Sequence, residues 1–161
     1  MAPPLLIIDG EVDSPARLSF ADLSALPETV QVRDVSRLDS KRQGDAVKFS
    51  GLLDLVRPRA GVRYLTLHSS ADDFHASIPL AAVRERAILI YRLGGQPLPA
   101  AAGGPVRFFI PDFAACHTAE IDECANVKFV DRIELSTDRG RDNRPHDEQE
   151  HAKLHEREAN K

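Results

Sequence analysis

The chain has 161 residues, 42% of them apolar and 29% charged, with a formal charge of −4. That length and apolar fraction suit one domain able to bury a core without covalent staples. The mild acidity, with no lysine or arginine stripe, argues against a nucleic-acid backbone as partner, and no apolar run approaches the roughly 20 residues that cross a bilayer.

In chain order, LLIIDGEV is an extended apolar run closed by Asp-Gly, and LSFADLSALP predicts a helix with Ser19 as N-cap and Pro27 as its stop. TVQVRDV alternates in the manner of a strand, and KFSGLLDLV predicts a strand end entering a short helix. VRYLTLHSS alternates again, turns at ADD, and continues as FHASIPL. AAVRERA gives one or two helical turns, ILIYRLGGQPLP a strand closed by Gly94-Gly95, and VRFFIP and VKFVDRIEL two further strands. Strands dominate, short helices interrupt them, and prolines mark the ends, so the expected class is α+β, mostly β, rather than regular βαβ alternation.

Composition breaks near Ser136. Residues 1–135 read as the folded domain and 136–161 as a charged tail, disordered or a solvated helix, whose only large aliphatic residue is Leu154. His151 and His155 stand four apart, a spacing at which two imidazoles on one helical face share a metal, but two ligands alone make a poor site, and a hydrophilic tail is the plainer reading. MAPPLLIIDGEV has no basic start and only a brief apolar run before Asp9, so the expected compartment is cytoplasmic, with both cysteines reduced. No Walker loop, dinucleotide fingerprint or G-x-S-x-G supports a kinase or hydrolase reading.

The order of these pieces resembles the molybdopterin-binding domain of the sulfite oxidase family. The matching segments are LLIIDGEV with DLSALP, the step Phe49-Ser50-Gly51-Leu52, SSADDFHASIPL, ILIYRLGGQPLP, and GGPVRFFIP followed by VKFVDRIEL. They cover nearly all of residues 4–135, in order. The resemblance implies a sulfite-oxidase-like fold, molybdopterin as cofactor and oxidoreductase ancestry. The implied cofactor is anionic through its phosphate, so cations and backbone N–H groups should face it. On that pattern Arg107 falls at the family's strand arginine and Lys128 at the lysine of its last strand. The other reading is that both point to solvent from two edge strands.

Two departures bear on chemistry. The family's molybdenum-ligating cysteine follows the strand that corresponds to TVQVRDV, and a soft thiolate has no hydroxyl equivalent. Here the region reads RDVSRLDSKRQGDAVKFSG, without cysteine, and Ser36 stands nearest the expected place. A histidine that the family places five residues before the arginine is Ala102 here. The resemblance therefore implies lost or altered catalysis on a retained framework.

Sixteen residues separate Pro111 from Lys128, more than the family pattern requires. In that stretch Cys116, His117 and Cys124 admit three readings: a metal or cofactor contact, a redox disulfide, or a surface excursion with two semi-buried thiols. The eight-residue cysteine spacing lacks the tight knuckle of zinc sites, which leaves the excursion as the plainest of the three. His75, in FHASIP, is a candidate cofactor contact or a water-facing residue, and His68 is similarly ambiguous. Asp72 and Asp73 read as a turn cap rather than an acid–base pair. Two functions remain open: a molybdopterin-binding oxidoreductase-family domain, or a non-catalytic module that uses this fold to bind another anion or a protein partner.

Overall fold

The computed structural model describes residues 4–39, 41–111 and 126–144. Cys116, His117, Cys124, His151 and His155 lie outside the described residues, as does most of the tail. Among the described residues, ten strands form two sheets. The first has the order β2 (Ala16–Leu18), β1 (Leu6–Gly10), β10 (Arg132–Ser136), β5 (Tyr64–Ser69) and β6 (Phe74–Pro79). Only β1 and β10 run parallel in it, which places a late strand beside the first. The second is built on β3 (Gln31–Val32), β4 (Asp45–Lys48) and β7 (Ile88–Leu93). Along the far edge of β7, β8 (Gln96–Pro97) and β9 (Arg107–Phe109) pair with opposite ends of the same strand.

Alternation along the strands decides which face is buried. Leu6 and Ile8, Leu65 and Leu67, Ala76 and Ile78, and Ile133 and Leu135 line the inner face of the first sheet. They meet Val47, Leu89, Tyr91 and Phe108 of the second sheet, Val106 just before β9, and the buried face of α2 (Phe49–Val56) in one core. Phe49 and Phe108 pack edge to face with centroids 5.6 Å apart, which joins α2 to β9. The second sheet's opposite face carries a smaller cluster of Val35, Ala46, Ile88, Ile90, Leu98 and Phe109, with Ala102 at its margin.

The predicted cap at Ser19 is formed. Its hydroxyl accepts from the Asp22 N–H and the Asp22 carboxylate accepts from the Ser19 N–H, a capping box that starts α1 (Phe20–Ser24). Ala16–Leu18, which the sequence pattern left unassigned, is a strand paired to β1, and two expectations change. TVQVRDV contributes only Gln31–Val32, because Asp34 adopts a left-handed conformation that ends the ladder and a 3-10 turn follows at Val35–Arg37. VKFVDRIEL becomes strand only at Arg132; Phe129, at φ 56°, breaks the extended run before it.

The domain boundary drawn at residue 135 falls inside β10. Beyond it, residues 137–144 form a strap along β6. The Ser77 N–H donates to Asp142 and the His75 N–H to the Asn143 side chain, while the Asn143 N–H donates to the His75 carbonyl. Among the described residues no helix is long and apolar enough to cross a membrane.

Candidate anion-binding site

Arg107 and Phe109 lie two apart on β9 and so share a face, the outer one of the second sheet, while Phe108 between them enters the main core. Two turns border that face. One is the 3-10 turn Ala100–Ala102 with Gly103, the other the excursion from Val35 to Gly44. Gly103 has φ 100°, and a Cβ there would lie 3.1 Å from Arg107 Cδ and 3.4 Å from Lys128 Cγ. Arg107 and Lys128 therefore flank the same turn. The segment before β10 is fastened there: the Phe129 N–H donates to the Gly103 carbonyl, the Val130 N–H to Val106, and the Phe108 N–H to Val127. These bonds set the start of β10 beside β9 although the two belong to different sheets.

The excursion is pinned at its neck. The Asp34 N–H donates to Asp45 Oδ1, Asp45 Oδ2 accepts from Arg92 Nε at 2.9 Å, and the Val35 N–H donates to the Gly44 carbonyl. Val35 seals the small cluster, and Arg42 places its guanidinium over the Phe109 ring, 5.4 Å from the centroid. Arg42 thus comes close enough to Arg107 for like-charge repulsion. Burial first, and the Arg42 charge second, push the Arg107 guanidinium below its usual range.

Arg107 Nη1 reaches the Ala102 carbonyl at 3.4 Å, but the buried Nε atoms of both Arg107 and Arg42 have no hydrogen-bond partner among the described residues. No carboxylate among the described residues pairs with Arg42, Arg107 or Lys128. Arg42 and Arg107 are half-buried with an open Nε donor each, Lys128 is exposed beside them, and such an arrangement of cations without a counter-charge can accept an anion with several acceptor oxygens. The sequence named Arg107 and Lys128 as candidates and gave no signal for Arg42. Arg42 sits in a polar run, and only the neck at Asp45 and the Phe109 ring bring it back to the sheet.

Of the other two candidates, Ser36 stands at the border of this face and His75 lies in the other sheet. Ser36 is exposed in the Val35–Arg37 turn, and its hydroxyl donates to Asp34 Oδ1; its neighbour Val35 shares the small cluster with Phe109 and Ala102, so the turn borders the same face as Arg107. His75 belongs to β6 in the first sheet, where its ring contacts His68 and Asp73 and no hydrogen bond joins it to Arg107 or Lys128. Asp73 stands in the β5–β6 turn with φ 48°. Among the described residues no group of three or more His, Cys, Asp or Glu side chains converges as a metal site.

A family model described as the oxidoreductase molybdopterin binding domain matches residues 5–143. Among solved structures the chain is similar to the sulfane dehydrogenase SoxCD from Paracoccus pantotrophus, with a TM-score of 0.60 and 20% identity. The likeness covers 84% of this chain and 39% of that one, and at this identity it shows the fold alone. No curated protein sequence matches the chain.

Proposed function

The chain belongs to the oxidoreductase molybdopterin binding domain family, and from that premise we propose that it holds the anionic end of a molybdopterin in the cradle of Arg107, Lys128 and Arg42, with catalysis lost or altered. The observation that carries this reading is the pair of buried guanidinium N–H groups, on Arg42 and Arg107, that lack an acceptor. A phosphate supplies oxygens to both at once and relieves the repulsion between them. The residues present fit that end of the cofactor.

At the metal end the fit is poorer. No cysteine stands between Glu28 and Val56, and Ser36, nearest the place the family reserves for one, spends its hydroxyl on Asp34. When bound, such a cofactor supplies the redox chemistry and the protein supplies position and charge. In this reading Arg107 and Arg42 donate to phosphate oxygens, Lys128 adds a mobile charge at the Gly103 turn, and the small cluster around Phe109 keeps water from the guanidinium stems. His75, in the other sheet, takes no part. The same missing thiolate favours a second reading, a non-catalytic cytoplasmic module that uses the cradle for a different anion or for a protein partner.

Molybdenum and oxidised-pterin content, measured on protein from a host competent in molybdenum cofactor synthesis, separates the two. Near-stoichiometric pterin supports cofactor binding, and molybdenum in equal amount restores an enzyme reading. Pterin-free protein leaves the second. Arg107→Ala is expected to lower pterin occupancy at least ten-fold, about the worth of one charge-assisted contact of 1.5–3 kcal/mol; full occupancy in that variant removes Arg107 from the site.

A further inference from the structure

On the outer face of the first sheet, four titratable side chains form a chain of hydrogen bonds. Glu134 Oε1 lies 3.1 Å from His68 Nε2, His68 Nδ1 lies 2.8 Å from His75 Nδ1, and His75 Nε2 lies 2.9 Å from Asp73 Oδ1. The strands dictate the order. Glu134 pairs with Thr66, two residues from His68 and so its diagonal neighbour on the β10–β5 ladder, and His68 faces His75 directly across β5 and β6. Both rings are nearly buried, with side chains 12% and 10% exposed.

Ionised carboxylates only accept, so each outer Nε2 carries a proton. The Nδ1 to Nδ1 bond needs a proton on one nitrogen and a lone pair on the other. Two rings therefore hold three protons and one positive charge between two carboxylates. A fourth proton would set two N–H groups against each other across 2.8 Å.

The pair is tied to the strap. The His75 backbone exchanges two hydrogen bonds with Asn143, at 2.8 and 2.9 Å. Asn143 Nδ2 donates to the Asp73 carbonyl at 2.7 Å, and Arg141 lies 3.5 Å from the Asp73 carboxylate that His75 also uses. Two residues further along β6, the Gly140 N–H donates to Ser77 Oγ, the Ser77 N–H to Asp142, and Arg144 Nη2 to the Ser77 carbonyl. The strap thereby covers the free edge of β6, which otherwise shows unpaired backbone donors and acceptors.

We propose that His68 and His75 form a single-proton dyad that latches residues 137–144 onto β6, and that uptake of a further proton releases the strap and uncovers that edge. The charged groups around the pair are consistent with one resident charge. From β10 come Glu134 and Arg132, the latter also bound to Asp9 of β1 at 2.9 Å. Asp131, just before β10, accepts from the Ser70 N–H while its own N–H donates to the His68 carbonyl. Asp73 closes the far end and Arg141 faces it from the strap, where Asp142 accepts from the Ser77 N–H and pairs with Arg139 and Arg144. Burial, against the Glu134 hydrogen bond, holds His68 below the usual imidazole range.

The test is a ring-nitrogen NMR titration of the full chain, run beside amide hydrogen exchange at Ser77 and Asn143. The expected result is three ring protons shared by the pair at neutral pH, with the fourth entering in a separate step more acidic than for an isolated imidazole. Corrected amide protection should then fall over the same interval by up to about ten-fold per pH unit, the linkage limit for one proton. His75→Gln keeps a polar side chain but removes the shared proton, and its strap protection should no longer vary across that interval. Two rings that titrate independently near the isolated value, or strap amides that stay equally protected throughout, overturn the proposal. The wild-type titration decides it even where the variant does not fold.

Discussion

Gln31 is a polar side chain placed where the interior leaves it 8% exposed, and its amide is fully used. Nε2 donates to the Leu23 and Leu26 carbonyls at 2.9 and 3.2 Å, and Oε1 accepts from the Tyr91 hydroxyl at 2.9 Å. Leu23 lies in the last turn of α1, where its carbonyl otherwise holds a 3.3 Å bond from the Leu26 N–H, and Leu26 follows the C-cap Ala25, so Gln31 serves as a remote cap and ties α1 to β7. Gln31→Met keeps the volume and takes the amide away from the Leu26 carbonyl and the Tyr91 hydroxyl. It is expected to lower unfolding free energy by about 2 kcal/mol in denaturant melts, the cost of buried groups left unmade. Tyr91→Phe in the same background should recover part of that loss, and strictly additive effects would show that the hydroxyl and the amide are not coupled.

At the scale of elements, the short helices depend on their ends more than on their lengths. α1 has five residues and buries only Leu23, too little to nucleate by itself, so the capping box at Ser19 carries much of its definition. Ser19→Ala is expected to cost about 1 kcal/mol, read from the shift of the denaturation midpoint at constant slope. β9 has only three residues, yet it is held on one side by β7 and on the other by the segment from Val127 to Val130. Its length matters less than this double attachment, which fixes Arg107 beside the Gly103 turn. Gly104 allows the turn to close, since a Cβ there would lie 1.8 Å from the Leu98 carbonyl oxygen.

For the molecule as a whole, the closing of the first sheet rests on the strap, and the strap on Asp142. Burial alone would raise the Asp142 carboxyl; hydrogen bonds from the Arg144 side chain and backbone and the Ser77 N–H, with the Arg144 charge, outweigh it and bring the pKa down to about 2. Its folded value is therefore below the unfolded one of about 3.9. Stability from this group is present above about pH 4 and is lost as pH falls toward 2. Asp142→Asn is expected to be less stable than the parent by about 3 kcal/mol at pH 6, since Arg144 loses its buried carboxylate. The difference should shrink as pH falls from 4 to 2 in parallel melts; a gap independent of pH would assign the loss to shape rather than charge.

The sequence by itself determined the class, the inner faces and much of the motif order, because alternation, caps and proline stops act between residues a few positions apart. Ser19, Phe49 with Leu52 and Leu53, and the alternating Leu65, Leu67, Ala76 and Ile78 were legible in this way. Arg107 and Lys128 were reachable through family resemblance, but their meeting at Gly103 was decided by the tertiary structure. So were the return of Arg42 over Phe109, the facing rings of His68 and His75, and the course of a charged segment that composition marks as tail. Each of these depends on residues far apart in the chain. Their placement follows from which strand lies beside which, and β1 next to β10 is a pairing that no local pattern encodes.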